Sequence, residues 1–276
     1  MEVLCPQDLD EALEHLARGG ATPPAPIAGG TDLLVSWHRR PHDDLRLLDL
    51  SRLRNELGGL RLTDDTLEIG ALATFWDARC APEVAAAFPL LALAAEQVGA
   101  VQIQTRGTWA GNLANGSPAA DGVPVLMAYD ASVVLRSRDG QREVALDRFY
   151  TGYRRSVRRP DELIVALRLP RRRRQHEWFY KVGSRSAQTI TKVGVAVVCD
   201  EAGWRIVANS VAPTVVRCRA LEAALARGGR FGSPGDLRRV LAADIAPIDD
   251  IRSTARYRAT VLARLLYFWL QQRGLL

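Results

Sequence analysis

Apolar positions change their spacing along the chain, and the changes mark its elements. Leu9, Ala12, Leu13 and Leu16 recur as one helix face, behind Asp8 with Glu11 three residues on, a capping-box pattern. Gly19 and Gly20 stop that helix. With strands at 2–5 and 45–49, the residues to about Leu53 form a small β-α-β unit. From Leu57 the period shortens: 60–62 and 67–71 alternate around Asp64-Asp65 as a hairpin, and 132–137 with 142–145 do so around Asp139-Gly140. A strand at 163–169 follows. Between the hairpins the pattern gives a short helix capped by Thr74, a longer one over 89–98 opened by Pro89 and stopped by Gly99, and a helical turn at 121–127. Strands at 178–182, 193–200 and 204–210 and helices at 219–226, 235–242 and 253–271 complete the chain. The last helix is expected to bury Tyr257, Val261, Leu265, Phe268 and Trp269. The pattern divides into units 1–55 (β-α-β), 56–170 and 171–276 (both mixed α+β).

Two stretches do not read as core. Residues 105–121, TRGTWAGNLANGSPAAD, are small or hydrogen-bonding almost throughout. Gly107, Gly111 and Gly116 permit positive φ or close approach, and Thr105, Thr108, Asn112, Asn115 and Ser117 supply hydroxyls and amides. Surface turns are written in the same residues, but a loop of this kind also suits a pyrophosphate. Residues 26–34, PIAGGTDLL, read as a short buried strand, a Gly-Gly turn, and Thr31 or Asp32 capping a short helix. Strand, glycine turn and helix N-terminus together make an anion site. Neither stretch is GxGxxG or GxxxxGK[ST], so the usual Rossmann and P-loop readings fail.

Composition narrows the chemistry. The chain has 276 residues, 47% hydrophobic and 25% charged, enough for about two packed units. Its apolar runs are too short or interrupted to span a bilayer, and its start lacks the pattern of a signal peptide. The net charge of +6 is spread out, and the one dense run, Arg171 to Arg174, reads as a solvated connector rather than a nucleic-acid or partner patch. Cys5, Cys80, Cys199 and Cys218 form no CxxC pair and read as thiols of a reducing cytoplasm. The histidines form no HExxH, and His38 and His42 read as polar surface beside Arg39 and Arg40. Ser117 is not in GxSxG.

The stretches AGGTDL at 28–33 and TRGTWAGNLANGSPAAD at 105–121 resemble the two FAD signatures of the flavin-carrying medium subunit of the molybdenum hydroxylases, the family of xanthine dehydrogenase and carbon monoxide dehydrogenase. The resemblance continues through FYTGYRRSVRRPDELIVALRLP, YKVGSRSAQTITKVGVAVV and DDIRSTARYR, and so covers nearly the whole chain. It implies an α+β, vanillyl-alcohol-oxidase-like FAD-binding fold with a C-terminal α+β subdomain. By position, Ile27, Ala28, Gly29, Gly30, Thr31 and Asp32 would wrap the pyrophosphate from one side, and Thr108, Trp109, Ala110, Gly111 and Asn112 from the other. Asn115 and Asp121 match positions near the ribityl and phosphate portion, Ile164 and Lys181 positions near the isoalloxazine. Ala110 stands where relatives commonly have glycine, which a negative φ would accommodate; Trp109 would pack on the flavin or fill core. The implied cofactor is noncovalent FAD, with molybdenum cofactor on a large partner subunit and [2Fe–2S] clusters on a small one. The implied function is electron transfer from those clusters through FAD to an external acceptor. Two alternatives stand beside it: a self-contained FAD oxidoreductase of the same fold, and a nucleotide-binding module without redox function.

Overall fold

A computed structural model describes residues 1–20, 22–37 and 45–276; His38 and His42, expected on a polar surface, lie outside the described residues. Strand β1 (Glu2–Leu4), helix α1 (Leu9–Arg18), β2 (Ala25–Ile27), α2 (Leu33–Trp37) and β3 (Arg46–Asp49) come first. β3 lies between β1 and β2, parallel to both, as crossover connections require. α1 buries Leu9, Ala12, Leu13 and Leu16. Asp8 accepts the Glu11 N–H at 2.8 Å, and the Glu11 carboxylate takes the N–H of Gln7, at 2.6 Å, rather than that of Asp8. β2 is a half-buried edge strand, not a buried one.

The middle of the chain runs α3 (Arg54–Leu57), β4 (Leu60–Leu62), β5 (Thr66–Gly70), α4 (Phe75–Arg79), α5 (Pro82–Ala87), α6 (Pro89–Gln97), α7 (Val101–Gln104), α8 (Trp109–Asn115) and α9 (Gly122–Ala128). β6 (Ser132–Ser137), β7 (Gly140–Ala145), β8 (Tyr150–Gly152), β9 (Arg155–Ser156) and β10 (Leu163–Pro170) follow. The sheet order is β4-β5-β10-β6-β7, antiparallel throughout, with β8 and β9 a separate hairpin. Thr74 and Asp77 cap α4 reciprocally, at 3.1 and 2.8 Å. The main departure from the sequence reading is α8, a helix inside the stretch read as loop. Thr108 Oγ1 accepts the Gly111 N–H at 2.9 Å, Trp109, Ala110 and Leu113 are buried, and Gly116 ends the helix at φ 61°. Tertiary burial of those three side chains overrides the weak helix propensity of glycine and asparagine.

The last part comprises β11 (Arg174–Val182), β12 (Val193–Asp200), β13 (Gly203–Asn209), β14 (Val216–Arg217), α10 (Arg219–Ala226), α11 (Pro234–Leu241) and α12 (Ala255–Gln272), the strands adjacent in that order. Every residue of β12 is buried. Its side chains alternate between two cores, as strand periodicity dictates: Val193, Val195 and Val197 join one with α12, while Ala196 and Val198 join the main core under α9. α12 buries Arg258, Leu262, Ala263, Leu266, Trp269 and Leu270, whereas Tyr257 and Phe268, expected inside, are 43% and 49% exposed. The cause is Arg258, which a hydrophobic pattern places outward. It donates to Ser210 O at 2.8 Å and Lys192 O at 2.9 Å and pairs with Asp250 at 2.7 Å, turning its own face inward.

The arginine run is a connector solvated only in part: Arg171 and Arg173 are exposed, whereas Arg172 and Arg174 are half-buried and engaged. Arg172 pairs with Asp130 at 2.7 Å; the Arg174 guanidinium lies 4.3 and 4.5 Å from the Phe88 and Tyr129 ring centres and donates to Ala87 O. Asp130, left-handed at φ 55°, also meets Arg205 at 3.2 Å and Arg217 at 3.5 Å. Arg205, 2% exposed, pairs with buried Asp200 and donates to Ala128 O at 2.9 Å. A buried pair adds little net stability, but removing one partner strands the other charge. Arg205→Ala is therefore expected to lower the unfolding free energy by about 3–5 kcal/mol, measured by urea denaturation. Arg173→Ala, at an exposed and unpaired position among the described residues, should stay within about 0.5 kcal/mol of the parent.

Candidate functional site

The two glycine-bearing stretches meet backbone to backbone. A β-carbon on Gly29 would stand 1.8 Å from the carbonyl oxygen of Arg106, and one on Gly107 would stand 3.4 Å from Thr31 Oγ1. Only glycine at 29 allows this approach. Thr74 and Thr108 form an isolated bridge beside it, with Phe75 N–H donating to Gly107 O at 3.1 Å and Trp109 N–H to Ala73 O at 3.2 Å. Because β2 is an edge strand that ends at Ile27, the chain beyond it is free of sheet pairing. Among the described residues no protein acceptor meets the N–H groups of Gly29, Gly30, Thr31 or Asp32. Gly30 sits at φ 72°. A run of free N–H groups with a left-handed member is a nest for an anion.

The second stretch contributes differently from its sequence reading. Its N–H groups at Trp109, Gly111 and Asn112 are taken by Ala73 O, Thr108 Oγ1 and Thr108 O, so the open donors lie mainly in the first stretch. Trp109 fills core: it is fully buried, its ring 4.5 Å from that of Phe75. Ala110 is helical, with the negative φ that its methyl group needs. Gly111 and Ala114 are exposed on the outer face of α8, with Asn112 and Asn115 half-buried beside them. Asn112 Oδ1 accepts the Gly122 N–H at 3.2 Å, which caps α9 and leaves the Asn112 Nδ2 without a protein acceptor among the described residues.

Asp121 and Lys181 come together although they are far apart in sequence. Lys181 Nζ lies 2.7 Å from Asp121 Oδ2 and donates to Gln97 O at 2.8 Å, its side chain only 3% exposed. Lys181 is thus a buried, paired lysine and not a surface one. Thr191 donates to the other Asp121 oxygen. Burial pushes the Asp121 carboxyl up, and Lys181 pulls it back. The tail of the second stretch is pinned further by Ser210 N–H to Pro118 O and Asn209 Nδ2 to Ala120 O, both 2.7 Å. Asn209 and Ser210 lie outside every resembling stretch, and Thr191, though inside YKVGSRSAQTITKVGVAVV, is one polar residue among several there until the fold brings it to Asp121. Ile164 is a core residue of β10 at a register break beside Val165, and is not among these contacts. Asp32 is exposed; its partial enclosure raises its carboxyl, and the nearby Arg154 guanidinium lowers it.

The site therefore offers open backbone donors, a free amide and small exposed residues in a row, which suits an extended ligand with an anionic middle. It differs from the cavity of about 250 Å³ lined by Asp147, Tyr150, Arg217, Arg219 and Asp244, whose charges are used within the protein: Arg219 pairs with Asp147, Arg217 with Glu222, and Asp244 accepts the Ala220 N–H. Among the described residues no cluster of three or more His, Cys, Asp or Glu side chains could hold a metal ion, and no helix is long and apolar enough to cross a membrane. The thiols of Cys5, Cys80, Cys199 and Cys218 are all free.

Residues 1–172 match the FAD binding domain in molybdopterin dehydrogenase, and residues 178–272 the CO dehydrogenase flavoprotein C-terminal domain. The chain is 36% identical over 208 residues to the nicotinate dehydrogenase FAD-subunit of Eubacterium barkeri, covering 73% of this chain and 70% of that one. It is 30% identical over 273 residues to the carbon monoxide dehydrogenase medium chain of Hydrogenophaga pseudoflava, covering 96% and 94%. A structure of carbon monoxide dehydrogenase from that organism, lacking the Mo-pyranopterin moiety, superposes with a TM-score of 0.85 at 28% identity, again over 96% and 94% of the chains. A cyanide-inactivated Cu,Mo-CO dehydrogenase does so with 0.87 at 25%, over 96% and 94%. The mixed α+β fold, with an FAD-binding part followed by a C-terminal domain, is that of these medium chains, and the chain belongs to the FAD-binding medium subunits of the molybdenum hydroxylases, the family of carbon monoxide dehydrogenase and xanthine dehydrogenase.

Proposed function

We propose that this chain holds one FAD noncovalently across the two glycine-bearing stretches and serves as the electron-transfer subunit of a three-subunit hydroxylase. The observation that carries the reading is the row of free N–H groups at 29–32, wedged against the backbone at Arg106. Ile27, Ala28, Gly29, Gly30, Thr31 and Asp32 take the pyrophosphate, with Gly111 and Asn112 closing on it from the outer face of α8 and Thr108, Trp109 and Ala110 supporting that face from within. Asn115 and Asp121 serve the ribityl and phosphate portion, Ile164 and Lys181 the ring end. FAD, when bound, supplies uptake and release of electrons one or two at a time. The protein binds and orients it and sets the charge around it, Lys181 standing ready as a desolvated cation beside Asp121.

In this reading the parts 1–55, 56–170 and 171–276 act as two flavin-holding subdomains and a covering one. Electrons reach FAD from [2Fe–2S] clusters on a small subunit, fed by substrate oxidation at a molybdenum centre on a large subunit, and leave to an external acceptor. The relatives are named as medium chains or FAD subunits, which supports a partnered role.

Acid precipitation of the purified chain should release yellow FAD into the supernatant; a pellet that keeps its flavin, or release of FMN, would contradict the reading. The isolated chain should bind flavin yet hydroxylate no purine, aldehyde or aromatic heterocycle, as product analysis will show. Gly29→Ala forces the two stretches apart and should weaken FAD binding by about a hundredfold or more in a fluorescence titration. Gly140→Ala, in a hairpin turn at φ 143° with open space around it, should lower stability only. Equal FAD affinity in Gly29→Ala and the parent would place the cofactor elsewhere.

A further inference from the structure

The β8–β9 hairpin forms a third wall of this site. Tyr150 pairs with Ser156 and Gly152 with Arg155, leaving Tyr153 and Arg154 as the turn. Tyr150 OH donates to Leu113 O at 2.8 Å, which pins the hairpin to the C-terminal end of α8. There Gly116 is left-handed, and a β-carbon on it would stand 3.1 Å from Arg154 Cα. Arg154 itself has φ 54°, a conformation that costs a non-glycine residue energy and persists where the surroundings enforce it. Its side chain is exposed, 5.8 Å over the Tyr153 ring. It lies near enough to Asp32 to act on that carboxyl, without closing to an ion pair among the described residues. A cation is thus held on a strained turn at the end of α8, with no carboxylate closed on it among the described residues.

We propose that Arg154 is the cation that clamps the diphosphate of a dinucleotide laid between the two glycine-bearing stretches. The diphosphate, with more negative charge than one carboxylate, draws the guanidinium from the end of α8 on binding. The proposal rests on the FAD reading and adds to it a residue outside both stretches. The test compares Arg154→Asn and Arg154→Lys in the full chain. Asparagine tolerates the left-handed conformation better than arginine, so its variant should unfold no earlier than the parent; lysine keeps both strain and charge. In fluorescence titrations Arg154→Asn should weaken FAD by about ten- to a hundredfold and Arg154→Lys by less than about threefold, while riboflavin, which has no phosphate, binds all three chains alike. The proposal is overturned if Arg154→Asn binds FAD as the parent does, if FAD and riboflavin fall together, or if the lysine variant falls as far as the asparagine one. A parent chain that binds no FAD would overturn the underlying reading instead.

Discussion

The candidate site depends on one contact between backbones, Gly29 against the Arg106 carbonyl, where a β-carbon would come within 1.8 Å. That distance fixes how near the first stretch comes to the second. The second is itself held rigidly, by the Thr74 and Thr108 bridge and by Trp109 packed on Phe75. Interiors packed to crystal density do not yield by fractions of an ångström, so the spacing of the gap is set by the core beneath it. The ligand meets a surface already made.

The C-terminal part completes that surface from the far side. Ser210, Asn209, Thr191 and Lys181 all grip the tail of the second stretch between Pro118 and Asp121. The arginines around Asp130 and Asp200 fasten the same two regions some way off. Ion pairs of this kind contribute specificity of docking more than net stability. They hold Lys181, a residue of the last sheet, against Asp121, the residue that precedes α9.

Much of this was legible in the sequence because short-range rules governed it. The α1 face, the Thr74 cap and both hairpins follow from periodicity and turn chemistry, and the two signature stretches identify the family. What escaped the reading was tertiary in origin. Nothing local shows that Trp109, Ala110 and Leu113 will be buried deeply enough to make a helix of a glycine-rich stretch. Nothing local shows that Arg258 points inward or that Arg174 lies on Phe88 and Tyr129; a charged residue is read as outward until a carbonyl or ring is found to receive it. Thr191 and Arg154 lie inside resembling stretches, but what they touch exists only in three dimensions.

The double allegiance of β12 bears on how such a chain can be inherited. Two recognisable regions meet near residue 175, and the boundary looks like a natural place for recombination. Yet alternate side chains of one strand complete the hydrophobic interiors on both sides. A transplanted C-terminal region would bring its own side chains at these positions into a main core packed here around Ala196 and Val198. The two regions are separable as sequence and inseparable as folding units, so the flavin-holding part and its cover must change together, position by position, along a shared strand.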